Sequence, residues 1–250
     1  MTPQVNANPD AGNLSTRTLG DLATSIAGAT GVFRRHRLDF CCGGDVSLAV
    51  AATRRGLDPA AISRELCALE PRVSSVHPGD PTKLTRYIVA RFHDAHRAQL
   101  PELIRLAHKV ERVHADRPGV PAGLAALLEQ LQQGLLDHMA IEETTLFPMM
   151  CKEPDADATD PIATMRADHA AQGGAVEDIF ALTGELKLPE GACNTWRALY
   201  LGLQQFADDL IEHVHTENNV LFKRYEAATP AGAKSPGAAG NSDFERASHE

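Results

Sequence analysis

Residues 138–147 read HMAIEETTLF, and residues 213–222 read HVHTENNVLF. Each stretch opens on His, carries Glu four positions later and closes on Leu-Phe. Side chains four apart share one face of a helix, with about 5–6 Å between their Cβ atoms. His138 with Glu142, and His213 with Glu217, can therefore each aim at one point. Their surroundings are apolar: Leu135, Met139, Leu146 and Phe147 for the first pair, and Phe206, Leu210, Val214, Val220 and Leu221 for the second. Polar pairs on such faces are predicted to be buried. A buried carboxylate is too costly to carry unless it is paired or binds a metal.

Working outward, the echo lengthens. His93 lies 45 positions before His138, and His169 lies 44 before His213. Each half thus offers a lone His and then His-x-x-x-Glu, which reads as an internal duplication of a helix pair. His96 can share a face with His93, and spacing alone leaves both open. Four long helical patterns carry these residues, at about 82–114, 122–150, 162–186 and 193–225, punctuated by Pro118, Pro121, Pro154, Pro161, Pro189 and Gly191. Pro101 is expected to kink or break the first. Four helices with short connections predict an antiparallel bundle. In it, four imidazoles and two carboxylates meet at one depth. Such a set would hold two cations with both carboxylates bridging, and would leave coordination positions for water, dioxygen or nitric oxide. Imidazole with carboxylate favours iron or manganese, with zinc also open. His108, His114 and His215 are expected on outer faces or at helix ends.

The rest of the chain divides by composition. Residues 1–15 are expected to be a disordered tail, 16–72 a small helical domain, 73–81 a linker, 82–226 the bundle, and 227–250 a second tail rich in Ala, Gly, Pro and Ser. Within the small domain one helix is expected over TLGDLATSIAGATGVFRRH (18–36) and a second over SLAVAATRR, stopped by Gly56. A third is capped by Asp58 with Pro59 in its first turn. Between the first two lies LDFCCGGD (38–45). Adjacent Cα atoms sit about 3.8 Å apart, below the usual disulfide range, so Cys41 and Cys42 read as thiols and not as a staple. Gly43 and Gly44 are expected to free the backbone and expose the sulfurs. Asp39 and Asp45 would raise the thiol pKa, and Arg34, Arg35 and Arg37 would lower it. A mixed disulfide, transient iron binding or pairing with another chain would suit the pair. Cys67 is expected in the core, and Cys151 and Cys193 at helix ends.

Bulk properties exclude several classes. The 250 residues carry a net charge of −9 and no Lys/Arg-rich run, against a nucleic-acid backbone as partner. No apolar stretch has membrane-spanning length, and MTPQVNANPDAGN has no secretory apolar core. Five sparse cysteines suit a reducing compartment, so a cytoplasmic protein is expected. Low aromatic content and abundant Ala and Leu point to an all-α fold.

Together, LDFCCGGD, RFHDAHRAQLPELI (91–104), KVERVHADRP (109–118), HMAIEETTLFPMM (138–150) and HVHTENNVLF resemble a known combination. The bundle resembles hemerythrin-like di-iron domains. The chain from about Thr18 to Tyr225 is similar to the repair-of-iron-centres family, of the YtfE/ScdA type. The resemblance implies a non-haem centre of two iron ions with an oxo or hydroxo bridge. Its ligands would be His93, His138, Glu142, His169, His213 and Glu217, with His93 preferred over His96. It also implies repair of iron–sulfur clusters damaged by oxidative or nitrosative stress, through iron donation to damaged or apo iron–sulfur proteins. Nitric oxide reduction, or an oxygen- or nitric-oxide-binding sensor, is the alternative, and a homodimer is left open. Three positions depart from the family pattern: Gly134 and Asp168, where Glu or another acid is usual, and Lys223, where Pro is common. If the acids line a route for iron or protons, transfer is expected to be slower. Lys223 is expected to affect only the helix end.

Overall fold

A computed structural model describes residues 14–69, 79–152 and 158–226, so the expected tails at 1–13 and 227–250, and 73–78 of the expected linker, lie outside the described residues. Four short helices build the N-terminal unit: α1 (Leu19–Ser25), α2 (Ala29–Arg35), α3 (Leu48–Arg54) and α4 (Pro59–Cys67). The single helix expected over 18–36 is two. Gly28 takes φ 89°, a left-handed conformation open to glycine, and Ala29 N–H turns back to the Ile26 carbonyl. Side chains of Thr18, Ser47 and Asp58 cap α1, α3 and α4, each accepting a backbone N–H, and Pro59 sits in the first turn of α4. The apolar faces close over Leu22, Val32, Phe33, Phe40, Leu48 and Ile62. Leu14 packs on this core, so the ordered unit starts before residue 16. Cys67 is exposed, contrary to expectation, because α4 turns Ile62, Ser63 and Leu66 inward.

Four longer helical runs follow. The first is α5 (Pro81–Ile88), a widened π turn (Val89–His93) and α6 (Asp94–Val113). The second is α7 (Leu124–Ile141), a π turn (Glu142–Leu146) and α8 (Phe147–Lys152). The third is α9 (Thr159–Leu182). The fourth is α10 (Asn194–His215), a π turn (Thr216–Leu221) and α11 (Lys223–Glu226). α6 packs on α7, α7 on α9, α9 on α10 and α10 on α6, which closes a four-helix ring. Pro101 does not break α6: its ring sits on the exposed face, where it forfeits only its own N–H bond. α9 stops at Leu182, short of Leu186, because Gly184, Glu185 and Leu186 all take positive φ. Two apolar clusters fill the bundle. One includes Leu103, Leu128, Trp196 and Phe206; the other includes Leu84, Phe92, Met150 and Tyr225. The His and Glu residues of the duplicated motif lie between them. No strand occurs among the described residues.

Candidate metal centre

All six residues of the duplicated motif are buried: His93, Glu142, His169, His213 and Glu217 at 0% exposure and His138 at 2%. Their ring nitrogens converge. His93 Nε2 lies 3.1 Å from His213 Nε2, and His169 Nε2 lies 3.1 Å from His138 Nε2. Two four-residue groups result, each able to hold a metal ion: His93, Glu142, His213 and Glu217, and His138, Glu142, His169 and Glu217. Both carboxylates belong to both groups. Each group also crosses the duplication, joining the lone His of one half to the motif His of the other.

The donor set fits a cation. Neither oxygen of Glu142 is in hydrogen-bonding geometry with anything, despite full burial. A carboxylate left this way costs several kcal/mol unless a positive charge meets it. Outside the centre, His93 Nδ1 lies 2.7 Å from Glu143 Oε1, His138 Nδ1 lies 3.2 Å from Asp168 Oδ2, and His169 Nδ1 lies 3.0 Å from Asn218 Oδ1. Each partner oxygen can only accept, so Nδ1 carries the proton and the Nε2 lone pair points inward. This is the tautomer that a metal ligand needs. His213 Nδ1 is the exception and has no partner.

Without a cation, protons take its part. Burial pushes the Glu217 carboxyl up, but the imidazoles around it, His213 foremost, hold it well below the usual range. Burial pulls the His138 imidazolium down, and Glu142 beside it more than offsets this, raising it to about 9. Protons and metal therefore compete for the same atoms.

Aromatic rings complete the symmetry. Phe147 stacks on His93 with ring centres 5.9 Å apart, and Phe222 stacks on His169 at 6.0 Å. That gives the closing Leu-Phe of each copy a task within its own half. His96 is buried beside His213 and Phe206 but belongs to neither group. Burial, then the nearby His213 and His93, hold its pKa down at about 2, so it stays neutral. The three π turns are invisible in the sequence, yet each contains one of the six residues: His93, Glu142 or Glu217.

His215 is buried, not on an outer face. It packs edge-on against Phe40, with its Nδ1 3.1 Å from Asn219 Nδ2. His108 is exposed and pairs with Glu129, while His114 meets Cys193 Sγ at 3.2 Å.

Cys41 and Cys42 are half-buried and reduced, with their sulfurs 3.8 Å apart. They line a cavity of about 970 Å3 between the N-terminal unit and the bundle. The nearby guanidiniums are engaged elsewhere: Arg34 with Asp208 and Glu212, Arg35 with Glu65, and Arg37 with Glu185. The hydrogen bond to Cys42, then burial, then the charges of Cys42 and Asp39 raise the Cys41 pKa well above the usual value. Gly43 and Gly44 also differ from expectation. Neither takes a positive φ. A Cβ on Gly44 would stand 2.5 Å from Asn219 Oδ1, so this glycine makes room for a side chain from the bundle. Asp168 orients His138 through the contact at its Nδ1. Lys223 reaches into the thiol loop, pairing with Asp45 at 3.3 Å.

Sequence reasoning missed Glu143, Asn218 and Asn219. The available signal was their place: Glu143 and Asn218 each directly follow the Glu of a motif copy.

Known proteins with matching sequences extend this description. The Hemerythrin HHE cation binding domain profile matches residues 85–225, and that of a domain of unknown function (DUF542) matches residues 15–70. Relatives include the iron-sulfur cluster repair protein YtfE of Yersinia pseudotuberculosis serotype O:1b (strain IP 31758) and that of Yersinia pestis (strain Pestoides F). Each is 48% identical over 211 residues, spanning 83% of this chain and 96% of the relative.

Proposed function

Because the chain belongs to the family of YtfE-type iron–sulfur cluster repair proteins with a hemerythrin domain, we propose that it is a non-haem di-iron protein that restores damaged iron–sulfur clusters. The observation that carries the reading is the pair of four-residue groups sharing Glu142 and Glu217. In this reading His93 and His213 would hold one iron and His138 and His169 the other, with Glu142 and Glu217 available to both. Iron bound there would supply exchangeable coordination positions inside a buried site.

The chain's own residues do the rest. Glu143, Asp168 and Asn218 hold three imidazoles in the ligating tautomer. Phe147 and Phe222 cover two of the rings and keep water away. The substrate is iron itself, passed to a cluster-deficient iron–sulfur protein whose thiolates suit it. Oxidative or nitrosative damage creates those partners. The five free cysteines suit a reducing cytoplasm, and no helix among the described residues is long and apolar enough to cross a membrane.

The test combines metal content with repair. The native chain is expected to bind about two irons, and Glu142→Ala or Glu217→Ala at most one. Only the native chain is expected to reactivate a cluster-damaged dehydratase. Two irons retained in both variants would remove the bridging role. Consumption of nitric oxide to nitrous oxide without reactivation would replace repair by reduction.

A further inference from the structure

The two motif copies are similar in how they build the centre and differ in what surrounds it. After the first Glu come Glu143 and Thr144; after the second come Asn218 and Asn219. Glu143 and Asn218 do equivalent work, each accepting from Nδ1 of the lone His of its own half. What holds them differs. Glu143 is fixed within the bundle by Arg97, at 2.7 Å. Asn218 is fixed from outside it: its Nδ2 donates to the Cys41 carbonyl at 3.0 Å. A carboxylate could not serve there, because the Cys41 carbonyl only accepts. An amide accepts from His169 on one side and donates to the thiol loop on the other.

The next position repeats the contrast. Thr144 is exposed, whereas Asn219 is buried. Its Nδ2 donates to the carbonyls of Phe40 (3.1 Å) and Cys41 (3.2 Å). Its Oδ1 fills the space left by Gly20 and Gly44, where a Cβ on either would come within 2.5 Å. The halves diverge where the thiol loop docks.

We propose that Asn218 is a positioning residue that links the thiol loop to His169, with Asn219 as its anchor, so that metal occupancy and access to Cys41 and Cys42 are energetically coupled. This rests on the reading that the His/Glu centre holds metal. Iron on His169 Nε2 fixes the ring, the ring fixes Asn218, and Asn218 holds the Cys41 carbonyl in place. Local opening of the loop, which would expose its half-buried thiols more fully to a reagent, then becomes rarer. The coupling is reciprocal, so a modified thiol loop loosens iron by the same factor.

The experiment uses the full chain, stripped of metal and reloaded anaerobically with ferrous iron. Site-resolved mass spectrometry follows alkylation of Cys41 and Cys42 by iodoacetamide, and elemental analysis counts iron. In the native chain, loading is expected to slow alkylation at least about fivefold, and prior alkylation to weaken the affinity for ferrous iron by a similar factor. Asn218→Asp keeps the acceptor for His169 and loses the donor to Cys41. Its alkylation rates are expected no longer to respond to iron. Asn219→Ala, which removes the anchor's donors to the Phe40 and Cys41 carbonyls and leaves Asn218 in place, is expected to bind as much iron as the native chain with a weakened alkylation response, and serves if Asn218→Asp does not fold or loses its iron. Equal native rates with and without iron would overturn the proposal, as would a folded variant that keeps the native response. A native chain that binds no iron would instead remove the metal reading itself.

Discussion

Glu142 is a buried carboxylate with the His93 and His138 rings each 3.4 Å from its oxygens, so it faces protons in the metal-free chain and a cation in the loaded one. Below pH 9, Glu142→Leu strips the His138 imidazolium of its counter-charge and is expected to destabilise the metal-free chain by about 3–5 kcal/mol, a loss that fades as pH rises through about 9 and His138 turns neutral. In the iron-loaded chain the same substitution removes a ligand and is expected to lower the melting temperature. Melting curves with and without iron, at neutral pH and at pH 10, check both halves; a metal-free variant as stable as the native chain at neutral pH would mean that His138 does not depend on Glu142. Cys41 gives a pH prediction. The bond to Cys42, burial and the nearby charges raise its pKa, so its nucleophilic thiolate is scarce at neutral pH and grows only in the alkaline range. Its alkylation rate is expected to be low at neutral pH and to keep rising about tenfold per pH unit into the alkaline range; a plateau reached by neutral pH would contradict the assignment. At this scale the sequence was informative where chemistry is written twice. A repeated His-x-x-x-Glu on apolar faces has few readings, and all six residues do converge. Asn218 was opaque because an asparagine beside a glutamate looks like any polar surface residue. Its meaning depends on a carbonyl 177 positions away. Cys67 was misplaced because a small shift in helical phase decides burial there, and periodicity leaves that phase loose near helix ends; His215 does close α10, but buried.

Helices were legible from their apolar period, but their interruptions were not. Gly28 splits the first expected helix through its backbone conformation, while Pro101, a stronger breaker by reputation, is absorbed on an exposed face. The π turns leave no residue signature, because widening a helix by one residue needs only that the extra residue be tolerated outside. Glu142–Leu146 is such a turn, with Thr144 and Thr145 facing solvent. Deleting Thr145 is expected to restore a regular helix there and swing Glu142 off the shared point. Circular dichroism should show undiminished helix, and elemental analysis the loss of at least one iron. A deletion variant that keeps both irons would mean that the widened turn has no part in aiming the carboxylate.

Across the whole molecule, the N-terminal unit and the bundle meet on the Cys-Cys-Gly-Gly loop, through Asn218, Asn219 and the outer pair of Lys223 with Asp45. The thiols lie outside both His/Glu groups and form, with Asp39, a separate set of donor atoms able to hold a metal ion. A Cys41→Ser, Cys42→Ser double variant is therefore expected to keep its iron and its melting behaviour while losing repair of damaged clusters. Full repair by that variant would make the pair structural, and iron loss would place the thiols in the centre. That the N-terminal unit and the bundle share a seam built from the metal motif itself could not be read from the sequence. That seam also constrains inheritance. Gly20, Gly44 and Asn219 occupy one another's space to within a single methyl group, so none of the three positions is free to drift alone. An Ala at 44 would also stand 2.8 Å from the Phe40 carbonyl oxygen, so shortening 219 does not by itself make room for it, whereas shortening 219 first only loosens the docking. Descendants of this chain should therefore lose the glycine at 44 last.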